Sequence, residues 1–402
     1  MQPSLTEKNE IEFIIGDSDS LDGAINTNVL CAFDNSVINF LNELSKMILG
    51  DKESKKYSDV ISFAFWIRRS SIEHYKQQYK SSEGLFRLGK GIVFHIAPSN
   101  VAVNYAYSLV SGLLTGNINI VRIPSKQYKQ IDLINNAIKK SLVNYPELKQ
   151  YIILIKYGHN NNINDYLSSI CDVRVIWGGD ETVKLIRKSE LKPRTTEVVF
   201  ADRYSISLID SDYYLNNNIK DNLVEGFYND TYFSDQNACS SPKIIIWFGN
   251  SISISKQDFW TRVSKLVSEK YNFQSIQSVD KYALLCKVSC IIDDLKYVKM
   301  NNNLITRILV DKIDENIINC FGNSGFFFEY DACCIDDIAP LFNNNKCQTV
   351  TYIGDKKMIQ QYITNGYRGV DRIVPFGSSM DFDLIWDGYD LVSSLSRIIS
   401  IR

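Results

Sequence analysis

The sequence is poor in the residues that hold metal ions in proteins. It contains only three histidines, His74, His95 and His159, and its nine cysteines are scattered singly except for Cys333 and Cys334. Adjacent cysteines cannot provide the Cys-x-x-Cys spacing of a zinc site or a redox pair. We therefore expect no structural metal, and the odd number of separated cysteines favours reduced thiols over a disulfide framework.

The sequence also lacks concentrated charge and long apolar segments. Its 44 basic and 46 acidic residues form no block of one sign, so neither nucleic acid nor an anionic membrane surface is an expected partner. Glu7, Glu10 and Glu12 occupy the region where a signal peptide needs an unbroken apolar run. Apolar runs such as 244–248 are far shorter than the roughly 20 residues that span a bilayer. We expect a soluble, cytoplasmic protein.

The pattern of apolar residues predicts two α/β domains with a boundary near residue 200. The 402 residues, 45% of them hydrophobic, suffice for two cores. From about residue 85, short β-rich runs alternate with helical patterns, as in a parallel sheet covered by helices on both faces. Predicted strands are 91–96, 119–123, 151–155, 173–177, 205–209, 243–248 and 349–353. Before residue 85 we predict amphipathic helices at 37–49 and 59–79, and we predict a solvated turn at the asparagines of 160–162.

The segment 89–126 predicts a strand, a tight turn at Pro98, Ser99 and Asn100, a helix, and a second buried strand that ends at Arg122. An asparagine after a parallel strand lies where open α/β sheets bind ligands, and its amide could donate to a developing oxyanion. The same residue fits a cap of the following helix equally well. The local sequence does not decide between these two roles.

This segment resembles the aldehyde dehydrogenase superfamily. Pro98, Ser99 and Asn100 match the Pro-Trp-Asn turn of that superfamily, and residues 115–117 match its Thr-Gly-Asn turn. The stretch FHIAPSNVAVNYAYSL is more closely similar to the acyl-CoA reductase branch known from the fatty acid reductases of luminous bacteria. That similarity continues through FWIRRS, CQTVTYIG, DRIVPFG and DFDLIWDGYDL, in this order.

The resemblance implies an aldehyde-dehydrogenase-like fold of two doubly wound α/β domains. Residues 1–200 would form a helical region and an NADP-binding domain, and residues 201–380 a catalytic domain with the nucleophilic cysteine. Residues 381–402 would form a tail that returns to the body. The turn at Pro375, Phe376 and Gly377 matches a superfamily turn that borders the active site.

The nucleophile candidate is Cys239, in the segment TYFSDQNACSSPK. Small and polar residues flank it in a predicted loop before a strand, whereas Cys171 and Cys290 lie in or beside apolar strand-like runs that suit a core. The superfamily nucleophile follows a glutamine by two or three positions, as Cys239 follows Gln236. The alternative is a structural loop cysteine.

The candidate cofactor residues follow the predicted strand ends. In the superfamily, the strand after the Thr-Gly-Asn turn ends with a ribose-binding lysine, followed three positions later by an acid that binds the ribose hydroxyls. Arg122 and Ser125 occupy these positions here, followed by Lys126. Two cations without a carboxylate suit a 2′-phosphate and predict NADPH; a solvated strand end is the alternative. Gly178 and Gly179 match the turn whose helix N-terminus faces the pyrophosphate, although Asp180 replaces the usual serine there.

An aldehyde-oxidising member of this superfamily needs a glutamate that activates the deacylating water. The corresponding Glu-Leu-Gly-Gly sequence is absent. Alignment from Lys192 places Glu197 at the glutamate, whereas alignment from Asp210 places Val198 there. Glu197 is thus a candidate base, with a charge flanking a strand as the alternative. Loss of the base suits a reductase, because its acyl-enzyme must wait for hydride.

The resemblance implies a reductase in which Cys239 takes up the acyl group of a thioester and NADPH reduces the acyl-cysteine to an aldehyde. Asn100 and the Cys239 backbone N–H would bind the oxyanion. A fatty acyl group would come from coenzyme A or from an acyl-protein synthetase partner, and we expect a homo-oligomer. Aldehyde oxidation would need the missing glutamate. Acyl phosphate reduction would need cations near Cys239, and a thioesterase or acyltransferase would leave the cofactor-like turns unexplained.

Overall fold

The computed structural model describes residues 10–80, 82–158, 160–292 and 295–402. The chain divides into two compact units, one of Met1–Ala201 with Phe382–Arg402 and one of Asp202–Asp381. Each unit has a mainly parallel sheet packed with helices, in agreement with the α/β prediction. The predictions about Glu7 and His159 lie outside the described residues.

The first unit begins with a helical region and continues as an α/β sheet. Its α-helices and strands up to residue 201 are β1 (Glu12–Ile15), α1 (Ser18–Gly23), α2 (Asn35–Gly50), α3 (Ser58–Trp66), α4 (Arg69–Gln78), β2 (Leu85–Gly89), β3 (Ile92–Ile96), α5 (Asn104–Leu114), β4 (Ile118–Arg122), α6 (Lys129–Ser141), β5 (Ile152–Lys156), α7 (Asn161–Ile170), β6 (Val173–Trp177), α8 (Asp180–Ile186) and β7 (Thr196–Phe200).

The large sheet of this unit has the strand order β1-β5-β4-β3-β6-β7 and is parallel except for β1. Successive strands therefore extend from β3 first to one side and then to the other. Ile96, at the end of β3, lies opposite both Arg122 of β4 and Ile176 of β6. The carboxyl ends of these three strands meet at the point where open α/β sheets bind ligands.

The interior strand β3 is buried along its whole length, as a strand covered on both faces should be. Ile92, Phe94 and Ile96 pack into one apolar cluster, and Val93 packs into another. Its polar residue, His95, is fully satisfied: Nδ1 lies 2.7 Å from Ser108 Oγ and Nε2 lies 3.0 Å from Asn119 Oδ1. Burial lowers the pKa of His95 to about 4, so the ring is neutral at pH 7 and has a structural role.

The second unit holds a seven-stranded sheet. Its elements are β8 (Tyr204–Asp210), α9 (Ser211–Leu215), α10 (Lys220–Asp230), β9 (Pro242–Phe248), α11 (Ile252–Lys270), α12 (Ser275–Ile291), β10 (Leu295–Asn301), β11 (Ile305–Val310), α13 (Glu315–Ile318), β12 (Phe326–Asp331), α14 (Ala339–Phe342), β13 (Cys347–Ile353), α15 (Lys356–Ile363) and β14 (Arg372–Pro375).

This sheet has the order β10-β11-β12-β9-β8-β13-β14 and is parallel except for β10. The interior strand β9 is buried from end to end. Ile244 and Ile246 enter one core cluster, while Ile245 and Trp247 enter the other. Helices thus cover both faces of this sheet, because alternate strand residues are buried in separate clusters.

The chain then returns to the first unit. Residues 382–402 form β15 (Ile385–Trp386), β16 (Tyr389–Asp390), α16 (Leu391–Leu395) and β17 (Ser396–Ser400). Strand β17 pairs antiparallel with β2, and Leu395 O accepts from Asn117 Nδ2 at 2.8 Å. Phe382 packs against Trp66, Tyr107 and Trp386 at centroid distances of 5.2, 4.6 and 5.1 Å. The motif that contains Trp386 therefore builds the core of the first unit.

Three local predictions were wrong. The predicted helix 59–79 is two helices, because Arg68 is extended and α4 begins after it. The predicted turn at 160–162 is the start of α7: the Asn160 side chain accepts from the backbone N–H of Asn162 and Ile163, so it is an N-cap. Cys290 is exposed on α12 and does not belong to a core.

Candidate active site

Cys239 lies in the loop between α10 and β9, and its side chain is exposed. Its backbone carbonyl accepts a hydrogen bond from Ser205 Oγ at 2.7 Å, and Ser205 is the second residue of β8. The loop is therefore attached to the amino-terminal edge of the second sheet. The buried Cys171 and Cys347 differ sharply, because burial raises the pKa of each of their thiols to about 12.

The residues just before Cys239 have a strained backbone. Asp235 and Gln236 have φ of 52° and 56°, in the left-handed region, which costs a non-glycine residue roughly 1–2 kcal/mol. The Gln236 side chain is buried, and its Oε1 accepts from the backbone N–H of Gly325 at 2.7 Å and of Phe326 at 3.0 Å. Its Nε2 donates to Pro242 O at 3.0 Å. Strain of this kind persists only where the surroundings over-determine the backbone, and it concentrates at functional sites.

A buried lysine lies at the base of the same loop. Lys243 Nζ donates to Gln236 O, to Gly322 O at 2.8 Å and to Asn323 Oδ1 at 2.6 Å. Burial lowers the pKa of Lys243 to about 7, and an electrostatic interaction with Cys239 acts in the opposite direction. From the sequence, Lys243 is predicted only as part of the strand 243–248. A lysine inside an otherwise apolar strand was the signal that could have identified it.

The turn at Pro375, Phe376 and Gly377 is joined to the segment before Cys239. Asp230, at the end of α10, accepts from the backbone N–H of Gly377 at 2.7 Å and of Ser379 at 2.9 Å. Gly377 has a φ of 91°, and a Cβ on Gly226 would lie 2.9 Å from Gly377 N. Burial raises the pKa of Asp230 to about 6 despite these hydrogen bonds. Asp230 therefore fixes the turn in the unit that carries Cys239.

The Asn100 turn follows β3 at the carboxyl edge of the first sheet. The N-cap of α5 is Val103, so the interpretation of Asn100 as the N-cap residue is wrong. Asn100 is exposed, and Tyr128 Oη donates to the preceding carbonyl, Ser99 O, at 2.7 Å. Tyr128 thereby orders the turn that carries Asn100 at this sheet edge.

The other cofactor candidates share this edge. Arg122 ends β4 and lies 4.4 Å from the centroid of the Tyr157 ring, with Nη2 donating to Tyr157 O and Gly158 O. Ser125 and Lys126 follow it and are exposed. Lys156 ends the neighbouring strand β5 and adds a cation that the sequence analysis did not single out. The four side chains present positive charge beside a hydroxyl, with no carboxylate among them.

Gly178 and Gly179 connect β6 to α8 at the same edge, where Gly178 N donates to Phe200 O at 3.1 Å. Helix α8 has only seven residues, and Asp180 and Glu181 occupy its first turn. These carboxylates oppose a phosphate at this helix N-terminus. The pyrophosphate role of the two glycines stays a prediction.

Glu197 lies near the amino-terminal end of β7 and is fully engaged. Its Oε2 accepts from Arg174 at 2.5 Å and its Oε1 accepts from Arg187 at 2.7 Å. Arg174 is buried, and its other donors reach Ser168, Ile186 and Ser189. The geometry favours an ion-paired structural residue over a general base. Val198, the alternative, is a buried core residue.

Glu197→Gln is a direct test of these two roles. We expect turnover within about twofold of wild type and a loss of about 2 kcal/mol in unfolding free energy, because the buried Arg174 guanidinium would lose its counter-charge. Chemical denaturation and steady-state rates measure the two quantities. Glu190→Gln, at an exposed position of the same unit, is the control. A large loss of turnover in a fully stable Glu197 variant would contradict the structural role.

Metal and membrane features are absent from the residues that the structure describes. Between residues 10 and 402, outside positions 81, 159, 293 and 294, no group of His, Cys, Asp or Glu is arranged to hold a metal ion. Across the same ranges, no helix combines the length and apolar character that a membrane crossing requires. None of the nine cysteines forms a disulfide.

The predicted site residues therefore fall into two groups. The carboxyl edge of the first sheet carries Asn100, Arg122, Ser125, Lys126, Gly178 and Gly179. Cys239 belongs to the second unit. Glu197 belongs to the first unit but lies towards the opposite end of its strand.

Comparison with known sequences identifies a family. A family model described as acyl-CoA reductase (LuxC) matches residues 27–399. The long-chain acyl-protein thioester reductase of Aliivibrio fischeri is 22% identical over 324 residues, which cover 77% of this chain and 63% of that protein. The chain thus spans less than two thirds of the length of this curated relative.

Comparison with solved structures identifies the fold. Lactaldehyde dehydrogenase from Escherichia coli has a TM-score of 0.63 and 11% identity, covering 96% of this chain and 91% of that one. Glyceraldehyde-3-phosphate dehydrogenase from Methanocaldococcus jannaschii, complexed with NADP, has a TM-score of 0.64 and 14% identity, covering 99% and 95%. The predicted aldehyde-dehydrogenase-like fold is confirmed.

Proposed function

This chain belongs to the acyl-CoA reductase (LuxC) family, and we propose that it reduces a fatty acyl thioester to the aldehyde through an acyl-cysteine on Cys239. The observation that carries the proposal is the exposed thiol of Cys239 on a strained, over-determined loop. A loop that held only a structural cysteine would not require a strained backbone of this kind.

The chemistry assigned to the protein's own groups is acyl transfer. The Cys239 thiolate attacks the thioester carbonyl, a carbon–sulfur bond to Cys239 forms, and the donor thiolate leaves. The Asn100 amide and the Cys239 backbone N–H donate to the oxyanion. Arg122, Ser125 and Lys126 would hold NADPH, which would supply a hydride to the carbonyl carbon of the acyl-cysteine. Collapse of the resulting tetrahedral oxyanion then forms the C=O bond of the aldehyde, cleaves the carbon–sulfur bond and restores the Cys239 thiolate.

The engaged state of Glu197 supports reduction over aldehyde oxidation. A dehydrogenase that oxidises aldehydes through an acyl-cysteine must hydrolyse that acyl-enzyme. Both carboxylate oxygens of Glu197 already accept hydrogen bonds from arginines. Without Glu197 as a general base for water, the acyl-cysteine survives until hydride transfer.

The family supports proposals for the acyl donor, the protein partner and the cellular location. We propose coenzyme A or an acyl-protein as the acyl donor, the latter because a curated relative is named an acyl-protein thioester reductase. An acyl-protein synthetase is then the partner that loads the donor. We also propose a homo-oligomer and a cytoplasmic location, the second being consistent with nine cysteines that form no disulfide.

The residues at the carboxyl edge of the first sheet fit NADPH. Three cations lie at the ends of the adjacent strands β4 and β5 or just after them: Arg122, Lys126 and Lys156. Ser125 provides an exposed hydroxyl at the position where the superfamily has an acid. The 2′-phosphate would bind the cations and Ser125. The acidic first turn of α8 makes a pyrophosphate contact there weaker than in a neutral turn.

Ser125→Glu tests this cofactor assignment. We expect the dissociation constant of NADPH to rise about tenfold through repulsion of the 2′-phosphate, while that of NADH changes little or falls. Fluorescence titration at fixed ionic strength measures both, because salt screens these contacts. Ser125→Gln controls for side-chain size. An unchanged ratio of the two affinities in the glutamate variant would remove the physical basis of the NADPH assignment.

The overall activity is tested with purified chain, NADPH and a long-chain acyl-CoA or acylated synthetase. We expect NADPH oxidation with one aldehyde formed per NADPH, trapped as a hydrazone, and a much lower rate with NADH. Thioester hydrolysis without NADPH oxidation would show a thioesterase. Reduction of NADP with free aldehyde and no thioester activity would show an oxidising aldehyde dehydrogenase.

A further inference from the structure

Lys243 is an ammonium group in a place where an apolar side chain would be expected. It is the second residue of β9, in which all seven residues are buried. Its three hydrogen-bond acceptors are two backbone carbonyls and a side-chain amide oxygen, Gln236 O, Gly322 O and Asn323 Oδ1. These acceptors satisfy the three N–H donors but carry no net charge. A buried charge without a counter-charge is costly in free energy, and leucine or isoleucine could fill the same position of the strand.

Neighbouring acids do not provide the counter-charge. Among the described residues, no carboxylate forms an ion pair with Lys243. Asp235 accepts from Tyr271 Oη and from Gln277 Nε2. Glu329, on the adjacent strand β12, forms an ion pair with Arg307. Other titratable groups in this unit include Tyr204 on the adjacent strand β8, Asp230 on α10, Lys281 on α12 and Cys320 before the 322–325 turn.

The group that interacts electrostatically with Lys243 is the Cys239 thiol, four residues earlier in the chain. A nearby cation favours the thiolate form of a cysteine, and the thiolate in turn favours the charged form of the cation. Lys243 also bonds to Gln236 O, so the same ammonium fixes the strained residue three positions before Cys239. Asn323 extends the contact, since its Nδ2 donates to Asn237 Oδ1 at 2.9 Å.

We propose that Lys243 is a positioning residue for the reaction, whose buried ammonium orders the Cys239 loop and favours the thiolate form of Cys239. The inference deepens the proposed function and rests on it, because it assigns to Lys243 the activation of the proposed nucleophile. It adds no reactant: the proton that leaves the thiol goes to solvent, and no bond to Lys243 forms or breaks during acyl transfer.

Three substitutions separate the charge of Lys243 from its hydrogen bonds. Lys243→Gln keeps an N–H donor and removes the charge, Lys243→Met removes both, and Lys243→Arg keeps both. The readout is the rate of iodoacetamide alkylation of Cys239 as a function of pH, resolved by peptide mass spectrometry. The exposed cysteines Cys286 and Cys333 are measured in the same samples as internal controls.

We expect the pKa of Cys239 to rise by about one unit in the Gln and Met variants, which lowers its alkylation rate at pH 7 about tenfold. The Arg variant should keep the wild-type pH profile, and Cys286 and Cys333 should not change. An unchanged Cys239 profile in Lys243→Gln would overturn the proposal. So would loss of the folded state in both uncharged variants, since Lys243 would then be a purely structural residue.

The measurement requires neither thioester nor cofactor, so it is independent of the proposed function. If Cys239 proves not to take up acyl groups but its pKa still depends on Lys243, the proposed function fails and the electrostatic coupling stands. If acyl transfer occurs with no dependence of the Cys239 pKa on Lys243, only the coupling fails.

Discussion

Replacing Cys239 with serine is expected to abolish acyl transfer to the protein, with a fall in turnover of about 10⁴-fold or more. A serine hydroxyl needs a paired base to become a nucleophile. Lys243 interacts electrostatically with position 239, and an ammonium that favours a thiolate does not ionise a serine hydroxyl. NADPH affinity should be unchanged, because the proposed cofactor residues belong to the first unit.

The Cys239→Ser experiment uses a radiolabelled acyl-CoA and denaturing electrophoresis to detect the covalent acyl group, with NADPH omitted so that the acyl-cysteine accumulates. Cys286→Ser changes an exposed cysteine on α12 and should label like wild type. Retention of a hydroxylamine-sensitive label in Cys239→Ser would eliminate Cys239 as the acyl acceptor.

Asn100→Ala is expected to slow the chemical step about 10²- to 10³-fold, the usual effect of removing one oxyanion donor. Folding should be little affected, because Asn100 is exposed and the N-cap of α5 is Val103. Single-turnover acylation measures the chemical step, and thermal unfolding measures stability.

The isosteric variant Asn100→Asp refines this test. It keeps the shape of the side chain but replaces the donor amide with a carboxylate, so it should be at least as slow as the alanine variant. If both variants acylate at the wild-type rate, or if both mainly lose stability, Asn100 orders the turn and does not bind an oxyanion.

Most of the fold could be predicted because buried parallel strands are continuous apolar runs. Strands β11 and β12 were not among the predicted strands, and the charged residue in each, Arg307 and Glu329, gave no indication in the sequence that it would be paired inside a sheet. The two residues neutralise each other across adjacent strands, with Arg307 Nη2 2.6 Å from Glu329 Oε2. The apolar pattern of one strand cannot reveal a partner that lies 22 positions away.

The candidate site was predicted unevenly for a similar reason. Cys239 and Asn100 could be proposed as site residues because each belongs to a short motif. Lys243 could not be assigned a role from sequence, because its burial and its three acceptors depend on the folding of residues 236 and 322–323 around it. Glu197 was ambiguous until its pairing with Arg174 and Arg187 was visible.

The pairing of β17 with β2 has a consequence for how the chain is made. Residues 202–381 are inserted between the two parts of the first unit, and β17 pairs with a strand synthesised about 300 residues earlier. Domains generally fold as units while the chain emerges from the ribosome. The second unit is therefore synthesised in full while β2 still presents an unpaired backbone edge to other chains. A chain that terminates before Ser396 lacks β17, so the edge of β2 remains unpaired. Aggregation of truncated chains should therefore be greatest for products that end just before Ser396.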